Sequence, residues 1–528
     1  LLRGGGGDDT IFGGLHADTI EGGTGNNLLY GNTATELGSG TDLLSYANAT
    51  ASVTITLAAN RLDGGNVRTG TAIHADGADT IGGINNVIGS AFDDTIIGLE
   101  SNDTIAGGAG NDSLDGGIST GDVVSYADAT GAVVVDLGAG TASGDRGTDT
   151  VLNFEGAIGG SGDDSLRGGA GPARLTGGDG ADTLIGGQSW SAADASVGNT
   201  DQLRGGAGND LLISTGGGNS SLSGGAGDDT VIGSGKGGLR FEDTTTNKFV
   251  DFNTGVATGE GNDSFAGISS VAMGGNTADT IIGTAGQREA VNPGAGGSFG
   301  NDYIDLGGTQ GDAVNFFANT QTPLSINLGQ NSASGLGFAS TILGVTDITA
   351  STGADTIIGN DRINVLRGYG GNDSMDGGGQ VGDTAGFDWN YTSVNANLVT
   401  QRAEWGNGTV SGTSTIIGFT GLIGSSGDDT LIGNSLTNEL QGGAGNDSLD
   451  GGDDIDMASY AGAFAGVVVD LNVANQVTGG AGNDTLVSIE GVIGSNHADT
   501  LTGNGDANTL VGGNGDDSLE GRGGPDSL

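Results

Sequence analysis

A chain of 528 residues with 114 glycines and only 34% hydrophobic and 5% aromatic residues cannot close a thick apolar core, so something besides apolar burial must hold it. Its 65 acidic residues against 15 basic ones give a formal net charge of -50, which opposes compaction unless cations bind and excludes nucleic acid and anionic membrane surfaces as direct partners. Cysteine is absent, which removes disulfides, thiolate metal sites and cysteine nucleophiles, and no apolar run is long enough to insert into a membrane.

A nine-residue unit, GGxGxDxUx with U a large apolar residue, recurs along the chain: GGAGNDSLD at 107–115 and 442–450, GGAGNDLLI at 205–213, GGAGDDTVI at 224–232, GGAGNDTLV at 479–487 and GGNGDDSLE at 512–520. Glycine permits a positive φ, so GGxG turns tightly and leaves its carbonyl oxygens accessible. Aspartate adds a charged hard oxygen, the ligand chemistry of Ca²⁺, which takes about 6–8 oxygens. The remaining xUx reads as a very short strand with U pointing inward. Two units then make one 18-residue coil, and ligand aspartates are expected to recur at that spacing.

In chain order, residues 1–41 form a partial tract with candidate ligands Asp9 and Asp18, followed by Asn27 at the next aspartate position. Module 1, 42–121, carries Asp94, Asp103 and Asp112. Module 2, 122–236, has an extended tract with Asp122, Asp164, Asp182, Asp210 and Asp229. Module 3, 237–311, is degenerate. Module 4, 312–382, contributes Asp355 and Asp373; module 5, 383–455, Asp429 and Asp447; module 6, 456–528, which reads as truncated, Asp456, Asp499, Asp517 and Asp526.

Five pairs, Asp94/Asp112, Asp164/Asp182, Asp355/Asp373, Asp429/Asp447 and Asp499/Asp517, are 18 apart, whereas Asp103/Asp122 and Asp210/Asp229 are 19 apart. The position midway is Asp103 in the first tract but Ala173, Asn364, Asn438 and Asn508 in the others. Loss of a carboxylate lowers affinity, so one edge of each tract is expected to be metal-competent and the other weakened or metal-free.

Between tracts an aromatic residue is followed eleven positions on by Leu or Phe: Tyr46/Leu57, Tyr126/Leu137, Phe241/Phe252, Phe317/Leu328, Phe387/Leu398 and Tyr460/Leu471. Runs such as SVTITL, AVVVDL and GVVVDL precede the second residue and read as strand. A recurring DT follows at Asp79, Asp149 and Asp484, each 15 residues before a tract-opening aspartate. The fixed offsets make the aromatics core residues of a wider coil rather than a sugar-binding strip.

The phased nonapeptides resemble the RTX family of haemolysin-type calcium-binding repeat proteins. The resemblance implies an all-β fold, an elongated right-handed parallel β-roll or β-helix solenoid in which short calcium-binding tracts alternate with wider β segments. It also implies multiple calcium ions as cofactors and partners, folding on calcium after secretion, and a secreted, extracellular location at the bacterial cell surface.

No active site is expected within these residues. His16, His74 and His497 are each followed by Ala-Asp, which reads as a repeated structural slot; there is neither HExxH nor GxSxG, and GSGKGG at 233–238 lacks the Ser or Thr of a phosphate loop. The expected function is a calcium-dependent structural or adhesive protein of a surface layer or matrix, self-associating into a lattice or filament or binding a cell-surface glycan. The alternative is the calcium-binding and secretion region of a type I secreted enzyme or toxin.

Overall fold

The computed structural model describes the chain except residues 33–40, 58–61, 64–65, 68, 188–199, 217, 242–244, 274, 276, 295–298, 317–321, 336, 389–390, 407 and 477–478. Phe317 of the aromatic pairs lies outside the described residues. Among the described residues the fold is all-β with one 3-10 turn, at Leu328–Gln330, and no helix is long and apolar enough to cross a membrane. The chain divides into two compact units, one of Leu1–Glu242 with Gly255–Ser269, the other of Asp243–Thr254 with Ser270–Leu528.

In the first unit, three-residue strands alternate between two parallel ladders. Thr95–Ile97 pairs with Ser113–Asp115, while Asn86–Ile88 pairs with Thr104–Ala106 in the other ladder, both with partners 18 residues apart. The middle side chains Ile96, Ile105, Leu114 and Val124 are at most 1% exposed, and their flanks are half-buried or exposed. This is the period-2 pattern of xUx realised in space: one apolar side chain per nonapeptide goes inward, so the core is a single thin row. Where the spacing is 19, the register follows: Thr104 pairs with Val123 and Leu211 with Thr230.

The second unit repeats this arrangement. Gly421–Ile423, Glu439–Gln441 and Met457–Ser459 form one parallel ladder and Thr430–Ile432 pairs with Ser448–Asp450 in the other, with Leu422, Leu431, Leu440 and Leu449 fully buried.

The wider segments continue the ladders rather than folding out. In module 2, Val123–Ser125 pairs in parallel with Gly156–Ile158, while the other ladder takes an antiparallel meander. Gly147–Leu152 pairs in parallel with Ser113–Asp115, then antiparallel with Thr141–Gly144, which pairs antiparallel with Val133–Asp136, itself parallel to Ser165–Arg167. Ser325–Asn327, Ser332–Gly335 and Phe338–Leu343 repeat the device in the second unit, as do Ser393–Asn397, Arg402–Gly406 and Ser411–Ile417. The run that reads as a strand in the sequence is thus one of three. Alternating hydrophobicity marks a strand but not its direction, and these short connections permit only antiparallel neighbours.

The described aromatic residues at the head of each segment, Tyr46, Tyr126, Phe241, Phe387 and Tyr460, are buried. Of their partners eleven residues on, Leu57, Leu328 and Leu398 are buried, whereas Leu137, Phe252 and Leu471 are half-buried.

Candidate metal centre

The stacking of coils places each repeat aspartate against its counterpart in the neighbouring coil. The N–H of Asp94 donates to Asp112 Oδ1 at 2.7 Å, and the same bond joins Asp164 to Asp182 (2.7 Å), Asp355 to Asp373 (2.9 Å), Asp429 to Asp447 (2.9 Å) and Asp499 to Asp517 (3.0 Å). The pairs spaced by 19 make the same contact, Asp103 to Asp122 at 2.7 Å and Asp210 to Asp229 at 2.8 Å. At the midway positions an asparagine makes this link instead: the Asn438 N–H donates to Asp456 Oδ1 at 2.7 Å, and Asn508 donates likewise to Asp526 Oδ1 at 3.0 Å.

One oxygen is thereby used. The other divides the candidates into classes. Asp9, Asp112, Asp122, Asp182, Asp210, Asp229, Asp373, Asp447 and Asp456 each keep a buried Oδ2 without a hydrogen-bond partner, and Asp103 keeps such an Oδ1. Asp18, Asp517 and Asp526 are half-buried. A buried carboxylate oxygen left unpaired is costly, so each of these atoms marks a place where positive charge belongs.

The glycines around these atoms are required by space. A Cβ on Gly205 would collide with both Asp210 Oδ2 and the carbonyl oxygen of Gly224, and one on Gly177 with Asp182 Oδ2 and the Gly205 carbonyl. The surroundings of the unpaired oxygen are therefore backbone carbonyl and carboxylate, an oxygen-only donor set suited to a hard cation. No group of three or more acidic or histidine side chains placed to hold a metal occurs among the described residues, so an ion here would draw its remaining ligands from carbonyls.

Burial and like charge push several of these carboxyls upward. Asp447 reaches about 8, through burial and then the charges of Asp484, Asp429 and Asp428; Asp373 also reaches about 8, through burial and the charge of Asp355. Asp112 and Asp182 rise to about 7, as does Asp103, chiefly by burial.

The tract-opening aspartates are held differently. Asp94 accepts from the N–H groups of Val53 (2.7 Å) and Ser90 (2.5 Å) and from Ser90 Oγ (2.8 Å). Ser351, Ser425 and Ser495 make the same hydroxyl and N–H contacts to Asp355, Asp429 and Asp499. Asp164 accepts from Val133 and Gly160 N–H groups. These carboxylates tie the wider segment to the first coil of a tract. The serine four residues before the aspartate was the available signal for this contact.

Two further carboxylates have both oxygens closed by protein donors. Asp149 accepts the Asp112 N–H on Oδ1 (2.8 Å) and the Tyr126 hydroxyl on Oδ2 (2.7 Å), and Asp79 is closed likewise by Asn27 and Tyr46. Asn364, Asn438 and Asn508 send Nδ2 to carbonyls 18 residues back, Thr346, Thr420 and Glu490, at 3.0–3.1 Å, so the amide bridges two coils where a carboxylate would need a cation. Ala173, the remaining midway position, offers only its N–H, to Asp201 Oδ1.

Sequence reasoning also missed buried Asp279, Asp302 and Glu289, each with an unpaired oxygen; ADTII and GNDYI, which place Asp279 and Asp302 two residues before an apolar one, carried the same signal as the tracts. It missed as well an exposed second row, in which Asn111 N–H donates to Asp93 Oδ1 and Thr148 N–H to Asn111 Oδ1, repeated by Asp428, Asn446 and Asn483.

No curated protein matches the chain. The family model of the RTX calcium-binding nonapeptide repeat, four copies, matches residues 1–32, 88–118, 158–188, 198–217, 212–235, 349–381, 423–458, 473–488 and 493–528. With nonapeptides matched in nine stretches spread between residues 1 and 528 and stacked in the register their spacing demands, this chain belongs to the RTX calcium-binding repeat family.

Proposed function

We propose that this is an extracellular structural or adhesive protein that folds on calcium after secretion, the ions lying between successive turns against the unpaired oxygens of Asp112, Asp182, Asp373, Asp447 and their equivalents. The observation that carries the reading is that row of buried carboxylate oxygens facing glycine carbonyls. With only one inward apolar side chain per nonapeptide, the coils depend on a further source of cohesion, and ion binding coupled to folding supplies it. Carboxylates that repel one another without metal keep the chain open at low calcium, the state suited to export, and the millimolar calcium outside the cell closes it.

A surface-layer, matrix or adhesin role fits a chain built almost wholly of such coils, with lattice self-association or a cell-surface glycan as its partner chemistry and no catalytic step assigned to these residues. Circular dichroism of the chain with calcium and with chelator tests the folding claim. A β-rich spectrum with calcium and loss of it in chelator is expected; identical β-rich spectra would refute the claim.

A further inference from the structure

The wide segments of modules 2 and 6 both begin with Ser-Tyr-Ala, at 125–127 and 459–461, and both carry a chain reversal whose tip stacks against a tract turn. The tips are in register. The Thr148 N–H donates to Asn111 Oδ1 and the Asn483 N–H to Asn446 Oδ1, both at 3.0 Å, so Asp145 and Arg146 correspond to Gly480 and Ala481. In module 2 the tip is latched to the turn that follows the tyrosine. Asp145 Oδ2 accepts from the Thr130 N–H (3.2 Å) and the Gly131 N–H (2.8 Å), and the Arg146 guanidinium lies 3.1 Å from the Asp128 carboxylate.

Module 6 lacks the parts of that latch. Gly480 and Ala481 stand in place of the acid and the base, Gly462 in place of Asp128, and Phe464 in place of Thr130. A cavity of about 190 Å³ remains, bordered by these four residues. Phe464 is 74% exposed, whereas its counterparts Thr50 and Thr130 are small and polar. Asp388, also at the cavity, accepts from Arg367 Nε (2.6 Å) and Nη2 (3.2 Å), which holds its carboxylate in one orientation. The Gln441 amide lines the cavity as well, and a Cβ on Gly462 would stand 3.0 Å from its Nε2, so the glycine gives that amide room. Ser459 in the same wall is 2% exposed, and its Oγ has no hydrogen-bond partner. Gly480 has no side chain to cap the N–H groups of Phe464 and Ala465, the counterparts of the two that Asp145 caps.

We propose that this cavity binds one pyranose ring of a neutral glycan, with the C–H face of the sugar on Phe464 and its hydroxyls on Asp388, Gln441 and the uncapped N–H groups. Among the described residues no lysine or arginine lines the cavity, and the formal net charge of -50 disfavours an anionic ligand. A ligand with one apolar face and several hydroxyls matches an exposed ring set beside fixed polar groups. The inference rests on the adhesive reading given above and assigns that reading a site.

Saturation-transfer NMR on the calcium-loaded full chain tests it, with free glucose, galactose, mannose and N-acetylglucosamine as probes. Transfer to the ring protons of at least one of these sugars is expected. Phe464→Thr, which installs the module 2 residue at an exposed position, is expected to weaken binding roughly tenfold. Ala481→Arg, which puts the module 2 base into the cavity, is expected to abolish it, and both variants are expected to keep the parent's β spectrum in calcium. Transfer to none of the sugars, or undiminished transfer in Phe464→Thr, would overturn the assignment. Circular dichroism on the same samples separates the two readings: a β signal indifferent to calcium counts against calcium-driven folding whatever the sugars do, and absent transfer in a calcium-responsive chain counts against the cavity alone.

Discussion

Asp429 and Asp447 are joined twice, by the Asp429 N–H on Asp447 Oδ1 at 2.9 Å and by the Ser448 N–H on the Asp429 carbonyl at 2.8 Å, while Asp447 Oδ2 is buried with no partner. The link fixes one oxygen against the preceding coil and presents the other to the space between turns. A rung of this kind is geometrically complete and electrostatically unfinished.

Asp447→Asn separates the two properties. The amide keeps the acceptor for the Asp429 N–H and gains a donor for a carbonyl, as Asn438 does one half-coil earlier. Binding of calcium is expected to weaken, with one ion fewer at saturation by titration calorimetry. In chelator the variant is expected to retain more β signal than the parent, because a buried uncompensated charge has gone. Opposite signs in the two conditions, read by circular dichroism with calcium and with chelator, distinguish an ion site from a merely structural carboxylate.

Ser425→Ala addresses the other class. The hydroxyl donates to Asp429 Oδ1 at 2.8 Å within a buried cluster, and its removal is expected to cost about 1–3 kcal/mol. Calorimetric melts in saturating calcium would show the loss, and the number of bound ions would stay as it was, since Asp429 is already closed by N–H groups from Ser425 and Val394.

Tyr126→Phe removes the bond to Asp149 Oδ2 and leaves that buried oxygen as bare as those of the ion sites. A loss of about 1–3 kcal/mol is expected in saturating calcium. A variant as stable as the parent there would mean that the tyrosine contributes packing alone.

Acidity is expected to act in opposite directions on the two states. The carboxyls of Asp373 and Asp447 stand at about 8, and those of Asp112 and Asp182 at about 7, against about 4 in an unfolded chain. The metal-free fold therefore takes up protons more readily than the unfolded chain, and its stability rises as pH falls from about 8 toward 4. Calcium needs the same oxygens ionised, so its affinity falls over that range. Chelated protein should gain β signal on acidification to about pH 5, while the calcium midpoint moves to higher concentration; a pH-independent midpoint between about pH 8 and 5 would contradict the assignment of these oxygens.

Much of the scaffold was legible because the repeat is its own ruler. The 18-residue spacing of Asp94 and Asp112 is the register in which Thr95 faces Ser113, and the apolar residue of each nonapeptide is the buried middle of each short strand. The reversals at Val133–Asp136 and Thr141–Gly144 were not legible, since alternating side chains look alike in either strand direction. Nor was the division among aspartates. Whether a carboxylate is left open or closed depends on a serine four residues earlier, a tyrosine hydroxyl from 23 residues upstream, or a backbone N–H 41 residues back, and those meet only once the coils are stacked.

The most direct measurement is the position of the ions in a calcium-loaded crystal, located by anomalous scattering. Density is predicted about 2.3–2.6 Å from the second carboxylate oxygen of Asp112, Asp182, Asp373 and Asp447, with glycine carbonyls completing the shell. Density confined to the exposed aspartates, or none between the turns while those carboxylates point into solvent, would contradict it.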